Sequence, residues 1–298
     1  MGTRHSNRLT IINEKKHLAV MNNRLLLFVL FLFVSISASS QGHNKLKSKE
    51  LSISAGTAYY IGEINPAKHF GTREKLALGI AIRNNLNKRW SIRTGLSYGN
   101  VEAFDSDSKD AWQQNRNLNF RNRFFEGSVI AELNFFNYQI NSNHNISPYL
   151  FLGAAVFRMN PEGNYNGYWH PLQPAGTEGQ GMAGKDALYK TTGFTMPMGA
   201  GLKCNIKGLL GFSLEWGVRK LYTDYFDDIS GTYVNPTMLT AARGQLSANL
   251  ADQSLVPTNT NNSNVQRGDP GRKDLYFFCM ASLNFRIDKK GNSCATWD

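Results

Sequence analysis

The stretch from Leu210 to Tyr233, LGFSLEWGVRKLYTDYFDDISGTY, limits the possible folds more than any other part of the chain. In its first half Phe212, Leu214, Trp216 and Val218 alternate with Ser213, Glu215, Gly217 and Arg219. Successive side chains of a strand face opposite sides, so this strand needs one apolar and one polar neighbourhood. The apolar face is bulky and aromatic, whereas the other holds Gly, Ser and opposite charges. That division suits a membrane barrel with lipid outside and a tight polar lumen inside. The Tyr- and Asp-rich second half is then expected where the strand leaves the bilayer.

The remainder of the chain repeats the pattern. Eight strands are expected: Leu51–Ile61, Leu76–Arg83, Trp90–Tyr98, Phe125–Phe135, Tyr149–Phe157, Phe194–Cys204, the strand opening at Leu210, and Leu275–Ile287. Each is close to the roughly 9–11 residues that a tilted strand needs to cross a bilayer. The fifth is so uniformly apolar that its facing is not readable. The inward set is rich in Gly, Ala and Ser and carries Arg83, Arg93, Glu126, Glu132, Glu215 and Arg219, a charge-balanced lumen. Connection lengths give an independent check. The links Asn84–Arg89, Asn137–Ser147 and Asn205–Leu209 alternate with the long links Gly62–Lys75, Asn100–Phe124, Arg158–Gly193 and Lys220–Asp274. Short inner turns and long outer loops are the habit of outer-membrane barrels. The expected fold is all-β: an antiparallel transmembrane barrel of eight strands, with long extracellular loops and one short loop helix. Asn235-Pro236 starts that helix, and Met238, Leu239, Ala242, Leu246 and Leu250 recur at helical spacing, placing it near residues 236–252.

The domain organisation follows. Met21-Asn-Asn-Arg24 precedes an apolar run from Leu25 to Ile36 and the small residues Ala38 and Ser40, the layout of a secretory signal peptide. Residues 1–40 are read as an N-terminal extension and cleaved signal, with Met21 as the start; an uncleaved anchor is the alternative. Residues 41–287 form the barrel with its loops, and 288–298 a periplasmic tail. The net charge is +11; residues 1–40 hold five basic residues and one acidic, which leaves +7 for the rest. The basic residues are dispersed rather than clustered, so nucleic acid is not an expected partner. Cys204 and Cys279 sit in strand patterns as small hydrophobes, and Cys294 is left over in the tail, either free or bonded to a partner.

Nothing in the spacing carries recognisable catalysis, and no catalytic, cofactor or metal residue is assigned. His69, His144 and His170 are far apart, with no HExxH-like spacing. Asp105, Asp107 and Asp110 share a loop, but Lys109 stands where a calcium loop needs an oxygen ligand. Asp224, Asp227 and Asp228 beside Tyr222 and Tyr225 are read as an interfacial aromatic girdle with loop pairing. The loop carrying Tyr165, Tyr168, Trp169 and His170 is either a ligand lid or packing on the barrel rim.

Four segments look familiar: TAYYIGEINP (Thr57–Pro66), LQPAGTEGQG (Leu172–Gly181), EWGVRKLYTDYFDDISGTYV (Glu215–Val234) and DLYFFCMASLNF (Asp274–Phe285). They resemble the PorG-like outer-membrane barrels of the type IX secretion system. The resemblance implies a non-enzymatic accessory barrel that anchors or stabilises a periplasmic ring of PorK- and PorN-like proteins, serving protein export and gliding motility. The partners expected on this reading are those ring proteins and outer-membrane lipid. The periplasmic contacts would then come from Asn84–Arg89, Asn137–Ser147, Lys207-Gly208 and the tail with Lys289-Lys290. Two other classes stay open: a small lipid-modifying enzyme, for which His69 or His170 would be the base, and a narrow solute channel.

Overall fold

The computed structural model describes residues 48–287, except 66–68, 72, 141–145, 208 and 258–260. The expected signal segment, His144, Gly208, Lys289, Lys290 and Cys294 lie outside the described residues. Nine strands form one sheet: β1 (Ser48–Ile61), β2 (Glu74–Asn85), β3 (Trp90–Phe104), β4 (Asn119–Asn134), β5 (Ile146–Tyr165), β6 (Tyr168–Pro171), β7 (Thr192–Lys207), β8 (Leu210–Leu221) and β9 (Leu275–Arg286). Their order is β4-β3-β2-β1-β9-β8-β7-β5-β6, and a further β4–β5 pairing closes the ring. Eight strands make the barrel, every neighbour antiparallel, with the first and last strands joined from Glu50↔Arg286 to Ile61↔Leu275. Only β6 stands outside it, as a hairpin arm on β5. Closure leaves no unpaired edge, which a bilayer demands of any sheet that spans it.

The alternation sorts the faces as expected. Leu78, Ile80, Leu96, Phe125, Val129, Leu214 and Trp216 remain exposed and form the lipid-facing belt. Glu50, Arg83, Glu126, Glu132, Lys203, Glu215 and Arg219 are buried inside. An apolar exterior around a closed, charged interior is the architecture of outer-membrane proteins, and the chain is an outer-membrane β-barrel. On β5, where the sequence is ambiguous, Tyr149, Phe151, Ala155 and Phe157 point inward and Leu150, Leu152 and Val156 outward. The inward rings fit because the neighbouring strands carry glycine opposite them. A Cβ at Gly199 would lie 2.6 Å from Phe151, and one at Gly201 2.6 Å from Tyr149.

Several strands are longer than the bilayer requires: β3 has 15 residues, β4 16 and β5 20. Their outer ends form a wall above the membrane on which the long loops pack. The expected helix over 236–252 is two helices, Pro236–Arg243 and Gln245–Ala251. Gly244 between them has φ +91°, outside the helical region, so the chain turns there. The start is as expected, with the Asn235 side chain accepting from the N–H groups of Thr237 and Met238. One loop helix was expected; short helices at Ala111–Arg116 and Leu172–Ala175 add to these two. Six- and four-residue turns are too short to leave a readable period.

Candidate functional site

Among the described residues the lumen holds four carboxylates and four bases that pair with one another. Glu132 is the hub: Arg83 Nε donates to its Oε2 at 2.8 Å and Lys203 Nζ to the same oxygen at 2.5 Å. Arg93 Nε stands 2.9 Å from the other oxygen as an ion pair, without hydrogen-bond alignment. Arg83 also donates to Glu50 at 2.7 Å, and Arg93 to Glu215 at 2.6 Å. Arg219 lies 3.5 Å from Glu126 and 3.8 Å from Glu215. The tyrosines Tyr149 and Tyr276 donate to Glu215 and Glu126. Equal numbers of each sign let the charges stay away from water at tolerable cost. Side chains just fill an eight-stranded barrel. The cavity among Arg93, Glu126, Glu215 and Arg219 is about 30 Å³.

Both mouths are stoppered. Below, the turn after β4 folds across the opening: Tyr138 and Ile140 are buried, and the Tyr138 ring lies 5.8 Å from Lys203 Nζ. Arg286 donates to the Ile140 carbonyl at 3.4 Å, which ties that turn to β9. Above, the long loop after β8 drops Phe226 into the mouth, fully buried among Tyr60, Phe124, Phe157 and Tyr276.

Over Phe226 the outer loops lock into a buried polar cap. Tyr60 at the end of β1 donates to Asp274 at 2.9 Å and is hydrogen-bonded to Asp227, while the Glu63 N–H donates to its hydroxyl at 2.9 Å. Glu63, Asp227 and Asp274 each bring a carboxylate oxygen within 4.8 Å of the others. Burial first, and then the nearness of the other carboxylates, raises the pKa of all three. Three such oxygens are what a hard cation would use, and they are also what carboxyls sharing protons look like. Beside them Thr177 donates to Asp228 at 2.5 Å, and Glu178 accepts from the N–H groups of Ser230 and Gly231 at 2.9 and 3.0 Å. Arg267 bridges this pair, 3.0 Å from Glu178 and 3.6 Å from Asp228. Burial lifts Asp228 to about 6 against the pull of Arg267.

The four familiar segments therefore meet in one place. Tyr60 and Glu63 come from the first, Thr177 and Glu178 from the second, Phe226 to Ser230 from the third, and Asp274 from the fourth. Sequence reasoning placed Asp224, Asp227 and Asp228 in an interfacial girdle; of that group only Tyr222 is exposed, and the three aspartates are buried in the cap. The sequence signal for this was the density of Tyr and Asp between Tyr222 and Asp228.

The remaining candidates are dispersed. His69 packs on the outer wall, with its Nδ1 3.1 Å from the Tyr59 hydroxyl and its ring against Phe277. His170 lies in the β5–β6 arm opposite Gly163. Asp105 accepts from Nε and Nη2 of Arg116, both at 2.7 Å, and Asp107 is taken by Arg73. The lid-or-rim loop resolves as rim packing: Leu172, Thr177 and Gln180 are buried, while Tyr168 stays exposed. Cys204 and Cys279 are free thiols, half-buried in the outward faces of β7 and β9.

A family model described as a domain of unknown function, DUF6089, matches residues 23–250. No curated protein matches the chain in sequence. Similar solved structures include Neisserial surface protein A, 9% identical with a TM-score of 0.38 over 80% of this chain and 97% of that one. Another is the outer membrane protein OprG from Pseudomonas aeruginosa, 10% identical, TM-score 0.37, over 84% and 99%. A third is a major outer membrane protein from Thermus thermophilus, 10% identical, TM-score 0.36, over 80% and 100%.

Proposed function

The chain belongs to the DUF6089 family, and we propose that it is a non-enzymatic outer-membrane anchor for a periplasmic ring of PorK- and PorN-like proteins in type IX secretion. The observation that carries this reading is the double stopper. Phe226 fills the outer mouth, Tyr138 and Ile140 fill the inner one, and paired charges occupy what lies between. A barrel closed in this way offers rigidity and surfaces rather than a path for solute. Its inner rim carries the apolar side chains Leu86, Phe136, Ile206 and Leu209, each at least half exposed. Lys88 and Arg89 lie in the same tight turn, where Asn87 Oδ1 accepts from the N–H groups of Arg89 and Trp90. Apolar side chains rimmed by charge are what a protein partner covers. The meeting of the four resemblance segments in one cap adds a structural reason for reading them as one unit.

The test is recovery of a tagged protein from outer membranes in mild detergent, with mass spectrometry of its companions. Ring proteins should accompany the native protein and be lost when Leu86–Arg89 is replaced by a neutral polar turn. A monomer without companions even after crosslinking would end this reading and leave the barrel unaffected.

A further inference from the structure

The lipid-facing wall is not smooth. Across the outer face from β1 and β2 round to β7 it carries an apolar groove of about 580 Å³, whose lining includes Thr94, Leu96, Gly127, Ala154, Val156 and Phe194. Nothing in the barrel fills it: a Cβ at Gly127 would touch only Leu96, at 3.6 Å. Every residue named here alternates outward, so the groove opens to the membrane.

Directly above its outer end the wall changes character. Two residues beyond Val156 on β5 is Arg158, and beyond Gly127 and Phe125 on β4 is Arg123, with Phe125 paired to Arg158 and Arg123 to Asn160. Arg158 is exposed and has no partner among the described residues. Arg123 and Arg121 share one carboxylate, Glu162, at 3.0 and 2.6 Å. The next carboxylate along, Glu102, is taken by Arg73 and Lys75. Three guanidinium groups thus face a single acid at the level where the apolar belt ends. Lys190, also exposed and unpartnered among the described residues, lies beside them next to the Thr191–Met159 hydrogen bond.

We propose that this groove and its arginine rim form a binding site for one phosphate-bearing, acylated lipid of the outer leaflet. Its acyl chain lies over Gly127 and Ala154, and its phosphate is held between Arg123 and Arg158. The shape takes a chain, and the excess positive charge takes an anion. Guanidinium forks favour phosphate because two N–H groups can reach two of its oxygens. The site stands apart from the capped mouth and from the inner rim, so it is independent of the anchoring reading.

The experiment uses the full barrel in phosphatidylcholine nanodiscs containing either bis-phosphorylated lipid A or the same lipid without phosphates, followed by native mass spectrometry of the released protein. The phosphorylated lipid should stay bound, and the phosphate-free one should not. Arg123→Gln with Arg158→Gln should lower retention on the order of tenfold, the effect of losing a charge-assisted contact. Gly127→Leu, which fills the groove and spares the arginines, should lower it as well. Heat-modifiable migration on a gel checks that each variant is a folded barrel. Equal retention of the phosphate-free lipid, or retention untouched by all three substitutions, overturns the proposal. So would a protein captured by a photo-crosslinker at position 127 in cells.

Discussion

Gly99 and Phe124 face each other across the β3–β4 pairing, and the Phe124 ring occupies the space a side chain at position 99 would need. A Cβ there would come within 2.9 Å of both ring Cε atoms, and the three nearest atoms all belong to that one side chain. Gly99→Ala should therefore destabilise the barrel by about 1–3 kcal/mol through overpacking. Phe124→Leu in the same chain should recover part of it, a coupling visible in a double-mutant cycle of urea unfolding. Gly199 is the control. A Cβ there meets the backbone of Gly217 as well as Phe151, so Gly199→Ala should not be relieved by trimming Phe151. Additive costs at positions 99 and 124 would show that the ring is not what demands glycine.

Glu132 holds three bases; its loss leaves Lys203 without a carboxylate and Arg83 and Arg93 with one each, in a buried site. Glu132→Gln should cost about 3–5 kcal/mol, as expected when one partner of a buried ion network is removed. Combining it with Lys203→Met removes one charge of each sign and should regain much of that loss, because the lumen returns to equal numbers. Denaturant unfolding in detergent micelles measures both. A double variant no more stable than Glu132→Gln alone would mean that geometry, and not charge balance, is what the network supplies.

How far the sequence could be read depends on what each residue answers to. Phe125, Val129, Glu126 and Glu132 answer to the period of their own strand, and a bilayer on one side with a narrow lumen on the other makes that period strict. The barrel and six of its eight lumen charges are legible for that reason. Glu50 precedes the readable alternation of β1, and Lys203 reads as an ordinary member of a Gly-rich face, so the Glu132 hub is half hidden. On β5 both faces are apolar because the inward one packs against glycines of β7, a relation between strands that a single strand cannot display. The cap is the least legible. Asp228 and Arg267 lie 39 residues apart in a loop without period, and only the folded loops bring Glu178 between them.

The cap should weaken as pH rises. Asp228 titrates at about 6 and Glu63, Asp227 and Asp274 are also raised, so the folded cap holds protons that the opened loops release. Its extra stability is complete below the ordinary carboxylate range, near pH 4, and is lost as pH climbs through about 6. Hydrogen exchange at Phe226 and Ile229, corrected for the intrinsic rate, should quicken relative to β4 amides between those limits. Asp227→Asn, which removes one of the titrating groups, should flatten the change. Protection that grows toward neutral pH would contradict the placement of these protons.

Phe226→Ala separates the stopper from the seal. The ring is fully buried among Tyr60, Phe124, Phe157 and Tyr276, so truncation should loosen the cap by about 3–5 kcal/mol and expose the loops to protease. It should not open a pore. Beneath Phe226 the Tyr276 hydroxyl donates to Glu126 at 2.5 Å, the paired charges span the lumen, and Tyr138 closes the inner mouth independently of the outer loops. Planar-bilayer recordings should therefore stay silent for the native protein and for Phe226→Ala alike. Stable single-channel conductance in the variant would place the barrier to ions in the outer loop and not in the charged lumen, and it would favour a gated channel over the proposed anchor.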